Sequence, residues 1–271
     1  LYYTIKKDKY WYEKHGESGP HVVLLHGFTG SSKTWEPFIT AWQDQFQFIT
    51  IDLPGHGNTK VSNVKTMKEC CDDIKTLINY LRINQFHLIG YSMGGRTALS
   101  FVMYYRELVQ SLVLESASPG LSTTVERKER MKKDEILAAK LVNEGIESFV
   151  NFWENIPLFN SQKELPINIK SAIREERLAQ SPNGLANSLR GMGTGKQPSW
   201  WGELTKLDLP TLLLAGELDT KFVQLNKKMA EPLPHAHFQM IRKTGHALHV
   251  EQPEIFGKIV TEFILDKHDQ K

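Results

Sequence analysis

Long apolar runs are missing from this chain. Nothing in it approaches the roughly 20 consecutive apolar residues of a membrane-spanning helix. Cysteine is scarce, with two among 271 residues, adjacent at Cys70 and Cys71. Both fall in a helical pattern, where neighbours point about 100° apart, so no disulfide between them is expected. Charge of one sign is also lacking. Lys+Arg is 33 and Asp+Glu is 31, a formal charge of +2, which gives no field for nucleic acid or an anionic membrane. Residues 1–14 alternate between polar and aromatic and lack the apolar core of a secretory signal. The expectation is a cytoplasmic protein whose cysteines are reduced and packed as small core residues. Neither nucleic-acid binding nor membrane insertion is expected.

Strand and helix signals alternate instead. Tyr2–Ile5 and Tyr10–Tyr12 read as a hairpin. Val22-Val23-Leu24-Leu25 is a continuous apolar run, as in a strand buried on both faces. A helix is expected from about Thr34, a strand over 46–52, and an amphipathic helix over Thr66–Leu81. Strands follow at Phe86–Ile89 and Ser111–Leu114, with a helix through Tyr105 between them. This order predicts a parallel sheet with right-handed crossovers.

Between about residues 121 and 205 the strands stop. Glu126–Asn143, Gly145–Glu154 and Pro166–Gln180 look helical. Alternation resumes at Thr211–Leu214, continues through Phe238–Ile241 and ends in a helix over Pro253–Leu265. The expected organisation is a core of residues 1–120 and 206–271 with an all-helical lid over 121–205.

Chemistry concentrates in Gly90-Tyr91-Ser92-Met93-Gly94. A Gly-x-Ser-x-Gly run between strand and helix puts the serine on a sharp, exposed corner. A serine hydroxyl is inert until an imidazole takes its proton, and that imidazole needs an acid to fix its tautomer. Chain order Ser, acid, His then selects Ser92, Asp219 and His246. Asp219 follows an apolar strand, and His246 follows the next. Glu217 is the alternative acid, but Asp219 lies further into its loop. His26 and His56 sit in strand-end turns and are expected to order them. His249 either lines the cleft or packs on the last helix. The backbone N–H groups of Phe28 and Met93 are the candidate oxyanion hole.

Leu25-His26-Gly27-Phe28, Asp52-Leu53-Pro54-Gly55-His56-Gly57, the serine run through Arg96, Gly216-Glu217-Leu218-Asp219 and Gly245-His246 together resemble the α/β-hydrolase superfamily. The implied fold is a mostly parallel sheet flanked by helices with an inserted helical lid. That fold hosts many reactions.

Narrower runs select a branch. They are Tyr91 through Arg96, Leu114 through Leu121, Phe152 through Phe159, Gly184 through Gly195, and Asp219-Thr220-Lys221-Phe222. They resemble the 2-succinyl-6-hydroxy-2,4-cyclohexadiene-1-carboxylate synthase family of menaquinone biosynthesis. The resemblance implies elimination of pyruvate from 2-succinyl-5-enolpyruvyl-6-hydroxy-3-cyclohexene-1-carboxylate, with no metal or organic cofactor. It also implies that Arg96, Arg130 and Arg177 bind the carboxylates of this polycarboxylate substrate. The same resemblance implies that Trp153 packs on its ring, that Lys221 adds charge and that Tyr91 touches it beside Ser92. Arg127 and Arg174 read as solvated helix charges. A monomer or weak homo-oligomer is expected.

Two other classes compete. A serine hydrolase of esters or vinylogous 1,5-diketones would use the same three residues but has no need of several carboxylate clamps. A binding module on this fold need not keep Ser92, Asp219 and His246 together.

Overall fold

The computed structural model describes residues 1–269. One sheet of eight strands organises it: β1 Tyr2–Ile5, β2 Asp8–His15, β3 His21–Leu25, β4 Gln47–Ile51, β5 Phe86–Tyr91, β6 Val109–Glu115, β7 Thr211–Gly216 and β8 Ala236–Ile241. Their spatial order is β1-β2-β4-β3-β5-β6-β7-β8. The β1–β2 hairpin joins β4 antiparallel, and every later pairing is parallel. This is the α/β-hydrolase fold expected from the sequence.

Period-2 alternation sorts the strand residues into two cores. Val23, Leu25, Leu88, Leu112 and Leu213 face one side, where α2 (Met67–Tyr80) and α3 (Met93–Tyr104) cover them. Val22, Leu24, Ile89, Val113 and Leu212 face the other, against α1 (Glu36–Trp42). Cys70 and Cys71 are buried on α2 and unpaired, and burial raises both thiol pKa values. They are therefore inert thiols in the core.

Three α-helices lie between β6 and β7. α4 (Thr124–Trp153) spans both expected helices and breaks at Gly145, where φ is 80°. α5 (Ile167–Leu178) follows the predicted third. α6 (Pro182–Met192) was not among the helices read from periodicity. Its Gly184 dilutes the helical pattern for a tertiary reason: a Cβ there would stand 2.4 Å from the Gly55 carbonyl. α4 and α6 share a separate small core of Ala138, Leu141, Phe149, Leu185, Ala186 and Leu189. After β7 come α7 (Thr220–Ala230), the short helix α8 (Leu248–Glu251) and α9 (Pro253–Asp269). Phe256, Val260 and Ile264 of α9 join α1 over the second core. No helix among the described residues is long and apolar enough to cross a membrane.

Candidate active site

β5 ends at Tyr91 and α3 begins at Met93, so Ser92 alone makes the turn, at φ 51° and ψ −105°. A side chain is rarely held there, and such strain costs about 1–3 kcal/mol. The neighbouring glycines permit the corner. A Cβ on Gly90 would meet the Gly94 carbonyl at 2.4 Å, and one on Gly94 would meet the Leu25 carbonyl at 2.0 Å.

The loops after β7 and β8 bring the partners. His246 Nε2 lies 2.9 Å from Ser92 Oγ, and its Nδ1 lies 2.6 Å from Asp219 Oδ2. His246 and Asp219 are both buried. Asp219 also caps α7, accepting the Phe222 N–H at 3.3 Å. Glu217 turns away and accepts the Lys243 N–H at 2.9 Å. Phe28 and Met93, whose N–H groups are the candidate oxyanion hole, both line the cavity over Ser92.

A cavity of about 380 Å³ opens over Ser92, lined also by Phe28, His246, Trp153, Met192 and Trp201. Arg96, Arg130 and Lys221 line it too. Arg96 donates to the Met192 carbonyl at 2.8 Å and to Gln197 Oε1 at 3.2 Å. It pairs with no carboxylate among the described residues. Desolvation, with the Arg130 charge adding to it, lowers its pKa to about 10, so it is still cationic at neutral pH. Arg130 donates to Asp134 Oδ1 at 2.7 Å. Trp153 stacks on Phe149 at 5.5 Å, and its indole N–H has no hydrogen-bond partner among the described residues.

Two predicted residues stand elsewhere. Tyr91 and Arg177 line a second cavity of about 410 Å³ that shares Phe28 with the first. Tyr91 is the last residue of β5 and belongs to the α1/α9 core, its ring against Gly27 and 4.7 Å from that of His249. Arg177 lies over the Phe159 ring at 4.6 Å and donates to Gln162 Oε1 at 3.2 Å. Strand alternation turns Tyr91 away from the cavity, and lid packing buries Arg177. His26 and His56 hold their turns, at the Gly27 and Pro54 carbonyls. Arg127 reaches the Gly195 carbonyl, and Arg174 bridges to Glu154 and Asn151, so both are lid struts. His249 lies in the second cavity and packs on α9. Gln197, which is buried and holds Arg96, was missed; a lone polar residue after a glycine run carries no signal in one sequence.

The α/β hydrolase fold family model matches residues 20–253. A putative 2-succinyl-6-hydroxy-2,4-cyclohexadiene-1-carboxylate synthase of Bacillus subtilis (strain 168) is 45% identical over 92% of this chain and 93% of that protein. The chain belongs to the 2-succinyl-6-hydroxy-2,4-cyclohexadiene-1-carboxylate synthase family. Within that synthase family the solved structure of MenH from S. aureus superposes with a TM-score of 0.91, at 38% identity over 96% of this chain and 98% of that one. A malate-bound thermophilic esterase from Thermogutta terrifontis gives a TM-score of 0.88, at 28% identity over 98% of this chain and 97% of that one.

Proposed function

We propose that this protein is a carbon–oxygen lyase that eliminates pyruvate from 2-succinyl-5-enolpyruvyl-6-hydroxy-3-cyclohexene-1-carboxylate, a step towards menaquinone. Ser92 passes its proton to His246 Nε2 and takes the C2 proton of the substrate, next to the succinyl ketone. Asp219 accepts the Nδ1–H and stabilises the imidazolium. The ketone oxygen gains charge as the enolate forms, and the Phe28 and Met93 amides receive it. The electrons then form the C2–C3 double bond, the ring double bond moves to C4–C5, and the C5–O bond breaks. The leaving enolpyruvate takes up the proton held on His246 Nε2 and becomes pyruvate, which returns the imidazole to its neutral form and closes the proton count.

One observation carries this reading: Arg96, Arg130 and Lys221 line the same cavity as the Ser92–His246 hydrogen bond. A polycarboxylate needs such cations; a neutral ester does not. The same hydrogen bonds suit acyl transfer, and the structural likeness to an esterase keeps ester hydrolysis as a second reading. Both are tested in one paired assay. The purified enzyme should release pyruvate from the enolpyruvyl substrate, and Ser92→Ala should lower that rate by about 10²–10⁴-fold. Undiminished pyruvate release by Ser92→Ala removes the proposed base. Efficient turnover of p-nitrophenyl esters without pyruvate release selects the hydrolase.

A further inference from the structure

Glu115 closes β6, is wholly buried and is absent from the lining of the Ser92 cavity. Its two ends hold two different parts of the site. The backbone carbonyl accepts the Ser92 N–H at 2.8 Å. The carboxylate accepts the Leu248 N–H at 2.6 Å and the His249 N–H at 3.2 Å. The His249 Nδ1–H points at both carboxylate oxygens, at 2.8 and 2.9 Å. Leu248 and His249 follow closely on His246. One residue therefore tethers the turn that carries the hydroxyl and the segment that carries the imidazole.

Asp219 fixes His246 at Nδ1 only, from a third loop. Where the imidazole stands relative to Ser92 depends on its backbone. Glu251 holds the Gly245 and Ala247 N–H groups on either side of it at 2.6 and 3.4 Å. Glu115 anchors the segment that follows and ties it to the Ser92 turn. His249 completes the anchor. Its ring is wedged 4.8 Å from Trp35 and 4.7 Å from Tyr91, so it has little room to swing. Reacting groups displaced by about 1 Å lose about 10²-fold in rate, so such a tether bears on catalysis without touching substrate.

We propose that Glu115 is a positioning residue that sets the Ser92–His246 separation by holding both backbone segments, with His249 as its second anchor. This rests on reading Ser92 and His246 as the proton-transfer pair.

Glu115→Gln tests it. One oxygen still accepts the Leu248 N–H and the His249 Nδ1–H, but the carboxylate charge is lost and an N–H₂ replaces the oxygen that stood 2.9 Å from Nδ1. In the folded variant, kcat for pyruvate release should fall about 10–100-fold with KM within about twofold. The far-downfield proton signal of the His246–Asp219 hydrogen bond should shift or broaden. Adding His249→Asn restores complementary amide pairing and should recover part of kcat. A folded Glu115→Gln with wild-type kcat overturns the proposal. So does a loss of thermal stability with the His246 signal and kcat both unmoved. If Glu115→Gln does not fold, His249→Asn alone is the test: kcat should fall at unchanged KM, and unchanged kcat overturns the proposal. Pyruvate release surviving in both Ser92→Ala and His246→Ala would instead reject the proton-transfer pair itself. The two failures are thus distinguishable.

Discussion

Arg96 carries a charge that no carboxylate among the described residues answers, and its guanidinium is held in place by Met192 and Gln197. A fork already fixed by a carbonyl and an amide loses little freedom on meeting a carboxylate. Arg96→Ala is expected to cost about 2–4 kcal/mol of transition-state binding, roughly 30- to 900-fold in kcat/KM. Arg96→Lys should recover only part of this, because an ammonium is a point charge. Steady-state pyruvate release measures both, and wild-type kcat/KM in Arg96→Ala would remove Arg96 from substrate binding. The residues of this scale were unequally legible. Ser92, Asp219 and His246 could be read because each follows an apolar strand in the chain order the fold demands. Tyr91 and Arg177 could be named but not located. Which cavity a side chain enters depends on the strand face and lid packing around it. Glu115 shows in the sequence only as a lone carboxylate ending the apolar run Leu112-Val113-Leu114, and the Leu248 and His249 N–H groups its side chain holds lie 133 and 134 residues away.

At the scale of elements, the lid is pinned to the core at a few polar contacts. Glu176 on α5 accepts the Ser31 N–H and hydroxyl at 2.8 and 2.7 Å, and the Thr34 hydroxyl at 2.9 Å. Gln180 accepts the Gly57 N–H at 2.8 Å, and the Ser161 hydroxyl meets Glu251 at 3.0 Å. Ser31 caps the helical turn that leads into α1, so Glu176 joins the lid to the segment following Phe28. Glu176→Ala removes three hydrogen bonds and leaves the Ser31 N–H only its long contact to Thr34 Oγ1 at 3.4 Å, a local loss of about 1–3 kcal/mol. Hydrogen exchange should quicken over 167–178 and 31–35 while the sheet stays protected. Unchanged exchange on α5 would mean that the lid is held by its apolar contacts alone. The long elements were legible because their apolar spacing is unbroken, as in α2 with Met67, Cys70, Cys71, Ile74, Leu77 and Ile78 buried. α6 was not. Its Gly184 answers the approach of a core loop rather than any helical preference, and a single sequence hides that partner.

The whole molecule is nearly neutral, with a formal charge of +2, so long-range repulsion contributes little to its stability and individual buried groups decide the pH response. His26 and His56 are both buried, with rings 5.1 Å apart. Desolvation lowers the pKa of each from 6.5, that of His56 well below it, with the neighbouring His26 adding to the fall. In the unfolded chain both titrate near 6.5, so below that pH the unfolded state binds more protons than the folded one. Stability is then complete above about pH 6.5 and declines as pH falls beneath it, by up to about 1.4 kcal/mol per pH unit for each histidine. Carboxylates held below their ordinary values, such as Asp8 beside Lys65, act in the same direction but only at lower pH, near their own unfolded range. The interval between pH 6.5 and 5 therefore belongs chiefly to the histidines. Urea unfolding across that interval should show the stability falling with pH, and His56→Asn, which keeps a donor for the Pro54 carbonyl, should reduce the slope by up to about 1.4 kcal/mol per unit towards the lower end. Equal slopes in the two proteins would mean that His56 takes up its proton without unfolding, and that the turn after β4 opens to admit it.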